Sequence, residues 1–160
     1  MKFVKSQLEL VDFFIINNKY KFVDPSTDNL DIKKTFSEYE IDIDFMPKLH
    51  ESKRYLIYIK ISINEIENPL PGYVMFIEGV CVFNFNEDDN LEENIKAEYL
   101  WSSGISIAIN NLRNFISSQT SYFPFGKFNL PAVDLTSLIN DKKAMMDISK
   151  SEIIKKKKAK

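Results

Sequence analysis

Apolar and polar residues alternate most regularly between residues 38 and 45, and this pattern predicts a β-strand. Tyr39, Ile41, Ile43 and Phe45 occupy every second position, so they share one face of an extended chain. Strict alternation of this kind is typical of a half-buried antiparallel strand. The opposite face is then predicted to carry a row of four carboxylates, namely Glu38, Glu40, Asp42 and Asp44.

Three further segments are predicted to be extended. Residues 7–23 are rich in apolar side chains and contain a turn or bulge signal at Asn17-Asn18. Residues 54–64 follow a polar connection at 48–53 and repeat isoleucine at every second position. Residues 73–86 are apolar on both faces, which is typical of a central strand or of one covered by a partner chain.

The apolar spacing becomes helical after residue 91. Ile105, Ile109, Leu112 and Ile116 recur at intervals of three and four, which predicts one long amphipathic helix. A helix with two apolar faces must contact two surfaces, so we expect it to pack on its own sheet and on a second subunit. The residues of the second stripe are Trp101, Ala108 and Phe115.

Residues 121–134 contain two prolines and one glycine, which end the long helix and favour an extended connection. Asp134 or Thr136 is positioned to cap a short last helix that ends near Ser149. The elements together predict an α+β fold, with a four-stranded antiparallel sheet and the long and short helices on one face. We expect one domain over residues 1–150 and a flexible lysine-rich tail over residues 151–160.

Composition narrows the class of protein further. The chain has 160 residues and a formal net charge of -2, which argues against nucleic acid as a partner of the whole molecule. It has no apolar run of about 18 residues, so we expect no membrane insertion. A single cysteine forms no internal disulfide and fits a reducing cytoplasm. The 13 phenylalanines supply the aromatic surface that an adhesive groove requires.

Candidate chemistry is sparse, and we predict that the protein is not an enzyme. His50 lies in a polar segment without neighbouring metal ligands, and Cys81 lies inside an apolar strand. With 4 glycines and no glycine-rich loop, the sequence offers no phosphate-binding motif, so neither a metal nor another cofactor is expected. The acidic row from Glu38 to Asp44 is interpreted as a solvated face or, alternatively, as a docking surface for a basic partner.

One part of the chain resembles a known family. The segment from Leu100 to Ile139 is similar to the C-terminal half of the SecB export-chaperone family, through a shared helix pattern and the stretch from Phe125 to Val133. Ile41-Asp42-Ile43-Asp44 resembles the acidic alternating strand of that family. The resemblance implies a cytoplasmic homotetramer, built as a dimer of dimers with the long helices at its centre.

The resemblance also implies a function and a site. It predicts an ATP-independent chaperone that holds unfolded polypeptide, with protein export as its role and a translocase motor as a further partner. Clients would bind in apolar grooves between the sheet edge, a crossover segment and the last helix. About half of the candidate residues are expected to be ordinary core, Phe128 and Leu130 first among them. The candidate client-binding residues are Phe45, Met46, Phe123, Phe125, Phe128, Leu130 and Val133.

Two alternatives stay open at this point. The first is a SecB-like chaperone that is dedicated to one partner, such as the antitoxin of a toxin–antitoxin pair. The second is a carrier of a small ligand or an enzyme, which would predict a closed apolar cavity under the helix.

Overall fold

The computed structural model describes residues 2, 4–25, 29–50, 54–86 and 91–158, with side chains described as far as Asp147. The chain forms two compact units, Met1–Leu130 and Pro131–Lys160. Within the described residues the first unit contains β1 (Leu8–Val23), α1 (Ile32–Ser37), β2 (Ile41–Leu49), β3 (Tyr55–Ile63), β4 (Gly72–Phe85), α2 (Glu93–Tyr99) and α3 (Ile105–Thr120), and the second contains α4 (Leu135–Lys158). The single domain over residues 1–150 stays a prediction.

The four strands form one antiparallel sheet in the order β1-β4-β3-β2, which confirms the predicted sheet. β4 lies inside the sheet and pairs with both β1 and β3. This position explains why residues 73–86 are apolar on both sides. β1 and β2 are the two edge strands, and each has one pairing partner within the sheet.

β1 is the longest strand and departs from regular pairing twice. Its register against β4 shifts between Leu10 and Asp12 and again between Ile15 and Asn17. The extra residues, Val11 and Ile16, are 45% and 53% exposed. Such bulges increase local twist and let a long strand bend. The second shift lies next to the turn or bulge signal that the sequence shows at Asn17-Asn18.

β2 begins later and ends later than its alternating pattern predicts. It spans Ile41–Leu49 rather than residues 38–45, and it includes Pro47, opposite Ile57 of β3. A proline fits here because β2 is an edge strand, whose outer side needs no N–H for a ladder. The predicted start of a polar connection at Lys48 is therefore wrong. Glu38 lies at the C-terminal end of α1, so the four acidic residues do not share one strand.

α1 was not predicted. Asp31 caps it, since its Oδ1 accepts hydrogen bonds from the backbone N–H groups of Lys33 and Lys34 at 3.1 and 3.2 Å. A helix of six residues is too short to show a helical period in the sequence. It connects the two edge strands and brings Phe36 to the end of the sheet.

The long helix consists of α2 and α3 joined by a π-helical turn at Leu100–Gly104. The predicted stripe is confirmed, because the stripe residues of α3 are all buried against the sheet: Ile105, Ile109, Leu112 and Ile116. Gly104 lets the helix lie close to β3, since a Cβ at this position would lie 2.8 Å from Cδ1 of Ile57. Contact of the second stripe with a second subunit stays a prediction. Ala108 is fully buried, and the ring of Trp101 packs edge-on against Phe45 of this same subunit at 5.7 Å.

The helices of the first unit contact one face of the sheet. α1 packs Phe36 against Tyr39 and Tyr73, and α2 packs Tyr99 against Phe85. Tyr73 and Phe85 are strand residues that point to the same side of the sheet as those under α3. The opposite side of the sheet is called the open face below.

The second unit is described by itself. α4 spans Leu135–Lys158, which is longer than the predicted end near Ser149. Of the two predicted caps, Asp134 is used, because its Oδ1 accepts a hydrogen bond from the N–H of Ser137 at 3.1 Å. The side chains of the predicted tail at 151–160, and residues 159 and 160 altogether, lie outside the described residues, so its flexibility stays a prediction. Among the described helices, none combines the length and apolarity needed to cross a lipid bilayer.

Candidate functional site: an aromatic cluster at the end of the sheet

Eight aromatic rings meet at one end of the first unit, where β1 ends and β4 begins. They come from four separate parts of the chain: the end of β1, the α1–β2 crossover, the start of β4 and the segment after α3. The ring contacts range from 4.0 to 6.3 Å between centroids. We call this group the aromatic cluster, and its members are Tyr20, Phe22, Phe36, Tyr39, Tyr73, Phe123, Phe125 and Phe128.

The inner part of the aromatic cluster belongs to the hydrophobic core. Tyr73, Phe128 and Tyr39 are 0%, 2% and 7% exposed. The hydroxyl of Tyr39 donates a hydrogen bond to the carbonyl of Pro71 and accepts one from the N–H of Tyr73, both at 2.8 Å. Burying a polar group without a hydrogen bond costs free energy, and these two hydrogen bonds offset that cost for the hydroxyl of Tyr39. The inner rings therefore form a rigid floor.

The outer part of the aromatic cluster remains in contact with solvent. Tyr20 is 37% exposed and its ring stacks on Phe123, with centroids 4.0 Å apart. Phe22 and Phe125 form a second, edge-on pair at 5.1 Å and are half-buried. Tyr20 and Phe22 belong to β1, an edge strand of the sheet. Exposed aromatic surface therefore lies beside a strand edge, the combination that can hold an extended peptide.

The segment after α3 is held against this floor by hydrogen bonds. The hydroxyl of Thr120 donates to the carbonyl of Ile116 at 2.7 Å and accepts from the N–H of Phe128 at 2.8 Å. The hydroxyl of Tyr73 donates to the carbonyl of Gly126 at 2.7 Å. Gly126 has φ of 72°, a left-handed conformation that glycine adopts without strain. The backbone of this segment is thus fixed, while its outer rings stay accessible.

Some of the predicted client-binding residues lie in the outer part of the aromatic cluster, and others lie in the hydrophobic core. Phe123 and Phe125 lie in the outer part of the aromatic cluster. Phe128 and Leu130 are 2% and 5% exposed, as expected for ordinary core residues. The carbonyl of Leu130 also accepts a hydrogen bond from Nε of Arg113 at 3.3 Å. Val133 belongs to the second unit.

Phe45 and Met46 are not brought to the aromatic cluster. They are neighbours in β2, at the opposite edge of the sheet from β1, so their side chains point to opposite faces. Phe45 is 3% exposed and packs on Trp101 under the helix. Met46 is 43% exposed on the open face. The sequence pattern places both residues in one strand but does not show which strand lies beside the segment after α3.

The acidic residues of β2 take part in local contacts. Oδ2 of Asp44 lies 3.5 Å from Nζ of Lys60 on β3, an exposed ion pair of the kind that adds little stability. Oδ1 of Asp44 accepts a hydrogen bond from the N–H of Phe45 at 2.8 Å. Asp12 does the same for Phe13 on the other edge strand, also at 2.8 Å. Docking of a basic partner to Glu38, Glu40, Asp42 and Asp44 stays a prediction.

Two further candidate groups, Cys81 and His50, lie in the part of the chain that the structure describes. Cys81 is 0% exposed, and desolvation raises the pKa of its thiol to about 12, so the thiolate form is strongly disfavoured. His50 is exposed. No group of three or more His, Cys, Asp or Glu side chains is placed to hold a metal within the described ranges.

Five residues of the aromatic cluster were not predicted as site residues: Tyr20, Phe22, Phe36, Tyr39 and Tyr73. The sequence does contain a signal for three of them, because Tyr20 and Phe22 share one face of β1 and Tyr39 begins the alternating segment. The signal indicates burial on one side of a strand. It contains no information about which distant aromatic segment meets them.

No family model matches the sequence, and no curated protein matches it. Among solved structures, the fold matches the Mycobacterium tuberculosis SecB-like chaperone Rv1957 in complex with a ChAD peptide from the Rv1956 HigA1 antitoxin. The match covers 80% of this chain and 91% of that chain, with a TM-score of 0.57 and 11% sequence identity. This chain has a SecB-like fold.

The SecB-like fold agrees with the resemblance that the sequence shows between Leu100 and Ile139. It confirms the predicted four-stranded antiparallel sheet and its long helix. At 11% identity the likeness is one of architecture, so the side chains that act in this protein must be identified from its own structure.

Proposed function

We propose that this protein is a chaperone that binds unfolded polypeptide without nucleotide and catalyses no reaction. The observation that carries the proposal is the outer part of the aromatic cluster, where Tyr20 stacks on Phe123 beside the edge of β1. Unfolded chains expose apolar side chains and unpaired backbone groups, and this surface offers a partner to both.

The geometry suits binding that does not depend on a particular sequence. Aromatic rings provide a large contact area, and apolar burial contributes roughly 25 cal/mol per Å² before the costs of ordering. An edge strand can add backbone hydrogen bonds to an extended segment whatever its side chains. The rigid floor of Tyr39, Tyr73 and Phe128 keeps the outer rings in place before a client arrives, which lowers the cost of binding.

A second candidate is a chaperone dedicated to one partner of the antitoxin type. One observation favours it: the SecB-like chaperone of similar fold was solved in complex with a peptide from an antitoxin. The resemblance of residues 100–139 to the SecB export-chaperone family is the basis of two finer parts of the proposal. These are assembly as a homotetramer and delivery of clients to a translocase motor for export from the cytoplasm.

The small-ligand alternative predicts a closed apolar cavity. The described residues form a depression of about 180 Å³ on the sheet. It is partly open to solvent, and its lining includes Asp44, Lys60 and Glu78. A shallow site with charged walls favours polypeptide or protein contacts over a buried apolar ligand.

The experiment that tests the proposal is suppression of aggregation. A chemically unfolded client is diluted into buffer with and without the protein, and light scattering is followed without ATP. We expect suppression at stoichiometric amounts. The variants Tyr20→Ser and Phe123→Ser should suppress less, whereas Tyr122→Ser, at a position that is 88% exposed outside the aromatic cluster, should behave like the unchanged protein.

A panel of unrelated clients separates the two candidates. Suppression of several clients supports the general chaperone, and suppression of one alone supports the dedicated chaperone. If no client is held and neither substitution in the aromatic cluster has an effect, the proposed function is wrong. Pull-down of a translocase motor tests the export role, and the mass in solution tests the tetramer.

A further inference from the structure

The end of β1 that carries the outer aromatic rings also carries two lysines. Lys19 and Lys21 alternate with Tyr20 and Phe22 along the strand. Because successive residues of a strand point to opposite sides, the two rings face the helix-covered side of the sheet and the two lysines face the open face. One short stretch of an edge strand therefore presents aromatic surface on one side and positive charge on the other.

The chain itself compensates these two positive charges poorly. The cross-strand neighbours of Lys19 and Lys21 on β4 are Phe76 and Val74, which carry no charge. Within the described residues, neither lysine forms an ion pair. The two positions are roughly 7 Å apart along the strand, so their like charges repel each other weakly. A carboxylate placed beside them would be attracted to both.

The nearest acidic side chains have other positions or other partners. Glu78 lies one row away on β4, and its carboxylate accepts a hydrogen bond from the amide of Asn17 at 3.0 Å. Asp24 lies beyond the last paired residue of β1. Near the start of the same strand the situation differs, since Lys5 forms an ion pair with Glu9 at 3.3 Å. The positive charge beside the aromatic cluster is thus free to attract a ligand.

The backbone of this stretch is also open to a further strand. In the sheet, β1 pairs with β4 alone, and among the described residues no backbone hydrogen bond joins residues 17–23 to any segment other than β4. An extended peptide added at this edge would direct its side chains alternately to the two sides of the sheet. Residues opposite each other on adjacent strands have Cβ atoms about 5 Å apart, which is close enough for charge pairs.

We infer that the client site, which rests on the proposed function, prefers extended segments in which apolar or aromatic residues alternate with aspartate or glutamate. The apolar side chains lie against Tyr20 and Phe22, and the carboxylates lie beside Lys19 and Lys21. Exposed charge pairs contribute modestly, so the preference ranks clients and does not replace the apolar contact that holds them.

The conformation of Lys19 is compatible with this role. Its Nζ lies 5.5 Å from the ring centre of Phe76, which places the ammonium group on the open face. The side chain is exposed, and a lysine has a long flexible stem, so the ammonium group can move from the ring of β4 to a carboxylate on the outer side of β1.

The first test compares three labelled peptides about as long as residues 17–23. One alternates phenylalanine and leucine with glutamate, the second has lysine at each glutamate position, and the third has the composition of the first with its apolar and acidic residues in two blocks. Fluorescence anisotropy at low ionic strength should show the first peptide binding roughly fivefold tighter than either of the others. The difference from the lysine peptide should shrink in about 1 M salt, which screens exposed charges.

The second test reverses the charge on the protein. In the double variant Lys19→Glu/Lys21→Glu, the lysine peptide should bind more tightly than the glutamate peptide. Lys48→Glu is the matched control, because Nζ of Lys48 lies 5.0 Å from the ring centre of Tyr58 on the other edge of the same sheet. All three lysines are exposed, so folding should persist, and circular dichroism checks this.

The possible failures are distinguishable. Equal binding of the three peptides, or the same order of affinity in the double variant as in the unchanged protein, would overturn the inference and leave the proposed function intact. Reversal by Lys48→Glu would also overturn it, because the effect would then come from the total charge of the protein. Binding of no peptide, together with no suppression of aggregation, would overturn the inference and the proposed function together.

Discussion

Tyr20, at the edge of the sheet, stacks on Phe123, in the segment after the long helix, with ring centroids 4.0 Å apart and planes 28° from parallel. About one hundred residues separate them in the sequence. The contact closes one side of the aromatic cluster and leaves part of both rings accessible.

Loss of either ring should affect binding more than stability. Tyr20→Ala and Phe123→Ala each remove a partly exposed ring, so we expect the free energy of unfolding to fall by under about 2 kcal/mol. Client affinity should fall severalfold in a fluorescence titration with an unfolded, labelled polypeptide. Tyr122→Ala is the matched control, because its side chain is 88% exposed in the same segment. An equal loss of affinity in all three variants would contradict a role for the stacked pair.

The inner rings should show the reverse behaviour. Phe128 is 2% exposed, and Phe128→Ala would leave a cavity that costs about 3–5 kcal/mol of stability in urea unfolding. Phe125→Ala, at a half-buried position three residues earlier, should cost clearly less. If both substitutions cost the same, the division into an inner and an outer part is wrong.

Thr120 should control the position of the segment that carries these rings. Thr120→Val keeps the shape of the side chain but removes the acceptor for the N–H of Phe128, so we expect a loss of about 1–3 kcal/mol in chemical unfolding. Thr120→Ser keeps the hydroxyl and should recover most of that loss. Amide hydrogen exchange at Phe128 should accelerate in the valine variant alone.

Asn64 should be the most sensitive polar residue in the β3–β4 connection. It is fully buried with φ of 54°, and its amide bonds to both the N–H and the carbonyl of Leu70 and to the carbonyl of Tyr73. Asn64→Ala leaves these groups unsatisfied and strains the backbone, so we expect a loss of about 3 kcal/mol in urea unfolding. Asn64→Gly relieves the strain alone and should cost less than the alanine variant.

Alkaline pH should destabilise the protein. Burial raises the pKa of Cys81 from 9.0 to about 12 and that of Tyr73 from 10.0 to about 12. Above about pH 9 the unfolded chain therefore binds fewer protons than the folded chain, so the free energy of unfolding falls as pH rises. Below about pH 9 both states keep these protons, and the stability is fully present. Urea midpoints at about pH 8 and about pH 10.5 measure the effect, and Cys81→Ala should reduce the difference between them. A midpoint independent of pH would contradict the assignment.

The parts of the fold that follow a local period could be predicted from the sequence. Residues 57–63 alternate perfectly, and the buried stripe of α3 follows helical spacing, because in both cases one face of one element decides the pattern. α1 has six residues and shows no period. The extension of β2 through Pro47 depends on its place at the sheet edge, which only the assembled sheet determines.

Only part of the aromatic cluster could be predicted from the sequence. Phe123 and Phe125 were candidates from the resemblance and from the aromatic composition of residues 121–134, although the structure places residues 121–125 in turns and a bend rather than in an extended connection. Their partners Tyr20 and Phe22 depend on tertiary contacts between distant segments, and no local pattern records these. Phe45 and Met46 were placed with them because the strand order was unknown.

The π-helical turn at Leu100–Gly104 holds one residue more than an α-helical path of the same rise would need. Because about five residues of π-helix and about four of α-helix turn through similar angles, deleting a single residue there would preserve both the length of the helix and the orientation of α2 relative to α3. Tyr99 would keep its contact with Phe85, and the stripe from Ile105 would keep its contacts with the sheet. Homologous chains that lack this turn are accordingly expected to align with a one-residue gap at this point and to keep the same helix faces towards the sheet.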